Sequence, residues 1–149
     1  MKIGIAADHG GFALKEQIIE LIQTLGHEVI DFGALTYDAQ DDYPDFIIPL
    51  AQAVTTRKVH KGIAVCGSGV GAAIAANKVK GARASVITDS YSARQGVEHD
   101  AMNIMCLGGR ITGIAVAEEL VKAYVDAAYT NEDRHNRRLG KVETLENNW

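Results

Sequence analysis

Five short runs that are mostly apolar from end to end alternate along this chain with segments of helical periodicity, and that alternation leaves few folds open. The runs are Lys2 to Ala7, His27 to Phe32, Gly62 to Val65, Arg83 to Thr88 and Met102 to Leu107. Strands apolar on both faces need cover on both faces, so the pattern predicts a parallel sheet between two helical layers. The first helix is expected from about Phe12 to Leu25, with its stripe at Leu14, Ile18, Leu21, Ile22 and Leu25 and a C-terminal stop at Gly26. The second follows Asp42-Tyr43-Pro44 and carries Ile47, Ile48, Ala51 and Val54; Pro49, inside its pattern, predicts a kink or a delayed start. A small-residue helix follows at Ala72 to Lys78, another is capped by Asp89-Ser90, and a long one carries Ile114, Ala117, Val121, Tyr124, Val125 and Ala128. A polar tail runs from Thr130 to Trp149.

The expected fold is α/β: a doubly wound five-stranded parallel sheet of order 2-1-3-4-5, a Rossmann- or flavodoxin-like three-layer sandwich with a C-terminal helical tail. At 149 residues and 47% hydrophobic content, one compact domain over 1–149 is expected, with no linker or internal repeat. The net charge of −4 gives no global field for nucleic acid. No apolar run approaches the ~18 residues that span a bilayer. The chain enters its first strand at Lys2 without a signal-peptide pattern, and two cysteines make no disulfide framework. A cytoplasmic location is the expectation.

In a sheet of this kind ligands bind where the strand order reverses, between strands 1 and 3. Two motifs fall there. Asp8-His9-Gly10-Gly11 follows strand 1, and Cys66-Gly67-Ser68-Gly69-Val70-Gly71 joins strand 3 to a helix. Glycines at 67, 69 and 71 let the backbone turn sharply and approach a ligand. Helix-start N–H groups face the loop, where they would stabilise an anion or a developing oxyanion and favour the thiolate of Cys66. The loop lacks the Lys-Ser/Thr ending of a Walker A motif. A nucleophile elbow needs glycine two residues before Ser68, and Cys66 stands there. Ala72 stands where a Cys-x5-Arg phosphatase loop needs arginine. Asp8 could equally be a helix cap, and Cys66 a small buried hydrophobe, the role expected of Cys106. His99-Asp100 lacks the further ligands of a metal site, and His99 suits a proton shuttle better. Arg134 and Arg138, one helical turn apart, could clamp one phosphate or be a solvated face; Arg110 is a third candidate, and Arg83 a weaker one.

Together with Asp42-Tyr43-Pro44-Asp45, Ala75-Ala76-Asn77-Lys78, Gly108-Gly109-Arg110 and Arg134-His135-x-x-Arg138, these motifs resemble ribose-5-phosphate isomerase B and its sugar-phosphate isomerase relatives, in order, over nearly the whole chain. The resemblance implies a cofactor-free, metal-free aldose–ketose isomerase working through a cis-enediolate. It implies Cys66 as the base, Ser68 assisting at the carbonyl, and the backbone from Gly67 through Gly69 and Val70 to Gly71 holding the enediolate oxygens. Asp8 and Tyr43 would contact sugar hydroxyls, His99 would help open the ring, and His9, Arg110, Arg134 and Arg138 would bind phosphate. The family is dimeric, some relatives being tetramers, so a homodimer or homotetramer with a tail packed on a partner subunit is expected. Asp100 stands where the pentose-phosphate enzymes commonly carry Asn; an ionised carboxylate cannot donate to a sugar oxygen. Ribose 5-phosphate is the leading substrate. The alternatives are erythrulose, allose or galactose phosphates, or, in a different class, a non-catalytic flavodoxin-like module binding a phosphometabolite.

Overall fold

The computed structural model describes residues 1–149. Five parallel strands, β1 (Lys2–Ala7), β2 (Glu28–Asp31), β3 (Lys61–Cys66), β4 (Ala84–Val86) and β5 (Ile104–Gly108), alternate with α1 (Phe12–Thr24), α2 (Pro44–Thr55), α3 (Val70–Ala76), α4 (Ser90–Asp100) and α5 (Ile114–Asp126), and α6 (Asp133–Glu146) ends the chain. Strand residues point alternately to the two faces. Ile3, Ile5, Ile63, Val65, Met105 and Leu107 pack under α1, α4 and α5. Ala6, Ala64, Cys66, Ile104 and Cys106 face α2 and α3. Each fully buried Ile or Leu contributes about 1.5–3 kcal/mol, so the sheet's two-sided burial is what holds the layers together.

The sheet order is β2-β1-β3-β5-β4, which corrects the expected 2-1-3-4-5 at its last two places. The reason lies in the strands themselves. All of β5 is buried, as a strand with neighbours on both sides must be, whereas β4 has only three residues and exposes Ser85. The free edge of β4 is closed by a side chain: Asn77 accepts from the Ala84 N–H and donates to the Ala84 carbonyl, each at 2.8 Å. The reversal between β1 and β3 is as expected. Helix α2 begins at Pro44 and continues through Pro49, which lies exposed, so the delayed start does not occur. Gly26, at φ +84°, ends α1, and Asp89 caps α4 through the Ser92 N–H.

Two lysines tie the layers. Lys15 is fully buried on α1 and bonds Asp31 at 2.7 Å and the carbonyl of Ala34, fixing the chain as it leaves β2. Lys61 donates to the carbonyls of Tyr124, Val125 and Ala127 at the end of α5; burial lowers its pKa to about 8, so it stays charged at neutrality.

Helix α6 is held at its far end by Glu146, which accepts from the Gly81 N–H at 2.7 Å, and at its start by one buried ring. His135 is 1% exposed, stacks on His99 of α4 at 4.2 Å, and has no hydrogen-bond partner at either ring nitrogen. Burial, then the neighbouring His99 and Arg134, lower its pKa, with Arg138 adding to this and Glu132 opposing. The unfolded chain therefore binds a proton that the folded chain refuses, and stability is lost as the pH falls from about 6.5 towards the lowered value. Accordingly, acidification from pH 7.5 to 5.5 should lower the thermal midpoint more in the native protein than in His135→Phe, which keeps the stack without the titrating group. Equal drops in calorimetry would refute this role.

Candidate active site

The site is built by three strand ends that touch through their backbones. The turns after β1, β3 and β5 lie side by side because Ala7 pairs with Val65 and Cys66 with Gly108. A Cβ on Gly108 would sit 2.8 Å from the Ser68 backbone, and one on Gly109 would overlap the Gly10 carbonyl. Only glycine permits that approach. The Gly109 N–H donates to the Cys66 carbonyl at 2.7 Å and the Arg110 N–H to that of Gly67 at 3.1 Å, locking the third turn onto the second. Gly69 adopts φ +82°, which turns the chain into α3.

A cleft of about 450 Å³ opens over this junction, lined by Asp8, Tyr43, Cys66, Gly67, Ser68, Gly71, Arg110 and Ile111. Cys66 is 5% exposed, yet it lines the opening, and its Sγ accepts the Gly69 N–H at 3.2 Å. The Ser68 hydroxyl accepts from Val70 at 3.3 Å. The N–H groups of Gly67, Ser68 and Gly71 have no acceptor within the protein, the arrangement an oxyanion requires. Gly69 and Val70 do not line the cleft: the first is buried against Leu107 and the second is exposed. Asp8 is 7% exposed and accepts from the Gly10 N–H at 2.9 Å, so it shapes its own turn while facing the cleft. The Tyr43 ring lies on Gly71, where a Cβ would meet it at 2.9 Å, and Arg110 passes over Gly67.

His9 leaves the same turn as Asp8 and pairs with Asp41 of the β2–α2 connection, Nδ1 to Oδ1 at 2.7 Å. Sequence reasoning had no signal for Asp41, which lies 32 residues away in an Asp-rich loop. Donor atoms of Asp8, His9 and Asp41 fall within 4.8 Å of one another, but Asp8 Oδ1 and Asp41 Oδ1 are already engaged, to Gly10 and His9.

The remaining candidates lie elsewhere on the same chain. His99 is bonded through Nδ1 to Gln95 at 3.0 Å and stacked on His135. Asp100 borders a separate hollow of about 490 Å³ between β4, α4 and α6, together with Leu139 and Val142. Arg134 is exposed and paired with Glu132 at 2.9 Å; Arg138 is exposed on the same helix. None of the four lines the Cys66 cleft. Arg83 serves structure, binding the Ala101 carbonyl at 2.8 Å. Cys106 is fully buried, and that burial pushes its pKa up to about 12, which fits an inert core thiol.

The chain is 42% identical over 139 residues to ribose-5-phosphate isomerase B of Mycobacterium tuberculosis, covering 93% of this chain and 86% of that protein. Among solved structures it superposes on ribose-5-phosphate isomerase B of Clostridium thermocellum with a TM-score of 0.95, at 44% identity and 99% coverage of both chains. It superposes on the Mycoplasma genitalium enzyme with bound ribulose 5-phosphate with a TM-score of 0.92, at 37% identity over 98% of this chain and 96% of that one. Residues 3–142 match the family described as ribose/galactose isomerase, and with this cleft at the β1–β3 reversal the chain belongs to that family.

Proposed function

We propose that the protein interconverts ribose 5-phosphate and ribulose 5-phosphate by moving a proton between C1 and C2. The observation that carries this reading is the Cys66 sulfur set beside amides with no protein acceptor, inside a cleft of sugar size. The thiolate of Cys66 takes the C2 proton of the open-chain aldose. The C2 electron pair then forms the C1–C2 double bond, and the carbonyl oxygen becomes an oxyanion. In the cis-enediolate both oxygens lie on one side, where the Gly67, Ser68 and Gly71 amides donate to them. Ser68 relays the hydroxyl proton from O2 to O1, and the thiol returns its proton to C1, giving the ketose and regenerating the thiolate. Asp8 and Tyr43 hold sugar hydroxyls. Ribulose 5-phosphate bound to the M. genitalium relative supports this choice of substrate.

The rest of the site comes from a second copy of the chain. His99, which assists ring opening, and Arg134 and Arg138, which bind phosphate with His9 and Arg110, are absent from the cleft of their own subunit. Exposed apolar side chains near the cleft and on the tail, Val70, Ile74, Ile111, Val142 and Leu145, suit burial between copies. Asp100 favours a second reading, a four- to six-carbon phosphosugar whose hydroxyl donates to this carboxylate.

A panel of ribose, erythrulose, allose and galactose phosphates, ranked by kcat/KM, decides between the two: ribose 5-phosphate should lead, and a far better rival would replace it. Cys66→Ala should cut kcat by about 10²–10⁴-fold while phosphosugar binding persists; undiminished turnover would remove Cys66 as the base. The shared site has its own check. Arg134→Ala/Arg138→Ala should raise KM with little change in kcat. Mixing that variant with Cys66→Ala should regenerate intact sites, up to about one quarter of all sites in a randomly exchanged dimer. No recovery after subunit exchange would place both sets on one chain.

A further inference from the structure

We infer that Asp41 is a positioning residue for the phosphate end of the site: it holds His9 with Nε2 turned outward, so that the ring donates to the substrate's phosphate through that nitrogen. This rests on the phosphosugar reading above, but its geometry stands apart. One carboxylate oxygen, Asp41 Oδ1, accepts from His9 twice, from the backbone N–H at 2.9 Å and from the ring Nδ1 at 2.7 Å. Two bonds to the same residue fix both where its backbone lies and how its ring is turned. The other oxygen, Oδ2, is buried without a hydrogen-bond partner, on a side chain 9% exposed. A buried acceptor left in that state costs stability. A neutral or apolar side chain would avoid the cost, so the position is explained by the work the carboxylate does on His9. The ring's Nε2 has no protein partner and is not buried.

The tautomer decides the rest. With Nδ1–H committed to Asp41, a neutral His9 would present the lone pair of Nε2, which repels a phosphate oxygen. Only the imidazolium has a proton at both nitrogens. Phosphate binding at Nε2 therefore needs His9 charged, and the bond to Asp41 is the largest influence raising its pKa above the ordinary 6.5. The charges of Asp8 and Asp41 act in the same direction, against partial desolvation. These two carboxylates, one on the β1–α1 turn and one on the β2–α2 connection, are the charged groups that bear on the ring. Raised affinity for the proton means that His9 holds its charge to higher pH than a free imidazole would, and loses it as the pH climbs through the raised value.

Asp41→Asn separates charge from position, because an amide oxygen can still accept both His9 bonds. NMR titration of the His9 imidazole, assigned by its loss in His9→Gln, should show a lower midpoint in Asp41→Asn than in the native protein. At pH 7.5 the KM for ribose 5-phosphate should rise about 3- to 10-fold with kcat little changed, as expected when one charge-assisted bond to the phosphate is lost. In a His9→Gln background the same substitution should add nothing. An unmoved His9 midpoint overturns the inference. So does a KM increase of equal size in both backgrounds, which would mark Asp41 as structural only. Inorganic phosphate is the independent probe: it should shift the His9 ring resonances in the native protein and less in Asp41→Asn. That result would sustain the pairing even if ribose 5-phosphate were not turned over, whereas a phosphate response identical in both proteins would sink it.

Discussion

Three turns in backbone contact hold the chemistry of this protein in place. Gly10 lies against Gly67, Gly108 against Ser68 and Gly109 against Gly10, with no side chain between them. This closeness follows from β1, β3 and β5 being neighbours in the sheet, so that their ends arrive at one level. It also explains how a cysteine 5% exposed can still address a ligand. Its strand ends at the cleft floor, and the following turn curls over it to donate an N–H to the sulfur. Any side chain at Gly109 would push the turns apart and separate Cys66 from Arg110.

The corrected strand order has a consequence for the site. Had β4 lain beside β3, the turn after β5 would sit one strand further off, about 10 Å from β3 instead of about 5 Å, and Arg110 could not cross Gly67. Two features that fix β5 in the interior were both present in the sequence: Ile104-Met105-Cys106-Leu107 is wholly apolar, while Ser85 interrupts the run before it. Sequential order is the weaker guide where two candidate strands differ this much in polarity, since an edge strand tolerates polar residues and an interior one does not.

What was legible in the sequence was local. Alternating periodicities gave the layers, glycine placement gave the turns, and the switch-point rule put Asp8 and Cys66 on the same crevice. What was not legible joins distant positions. The pairing of His9 with Asp41 spans 32 residues and depends on how the β2–α2 connection folds back. The seating of α6 depends on His135 finding His99, 36 positions earlier, as a stacking partner rather than as a hydrogen-bonding one. Neither contact leaves a periodic trace, because each is a single residue on a connection or on an otherwise polar helix. His135 reads in the sequence as one more basic residue in a charged tail, yet it is the buried one.

Charge balance gives the strongest reason to expect the site to be shared. The cleft of one chain holds the Asp8 carboxylate against the single cation Arg110, with the His9–Asp41 pair beside it. A phosphosugar adds roughly two further negative charges at neutral pH. Within one subunit, then, carboxylates already occupy the neighbourhood of the substrate's anion, and Arg110 is exposed to water that weakens its pull. Proton transfer from carbon through an enediolate asks for the opposite condition, a closed site in which fixed donors act at low dielectric. Arg134 and Arg138 arriving from a second chain would supply both what the open cleft lacks in positive charge and the wall that excludes solvent. Helix α6 is suited to deliver them, since its single buried ring anchors it to α4 while both arginines stay exposed one turn apart, Arg134 held only by its surface pair with Glu132.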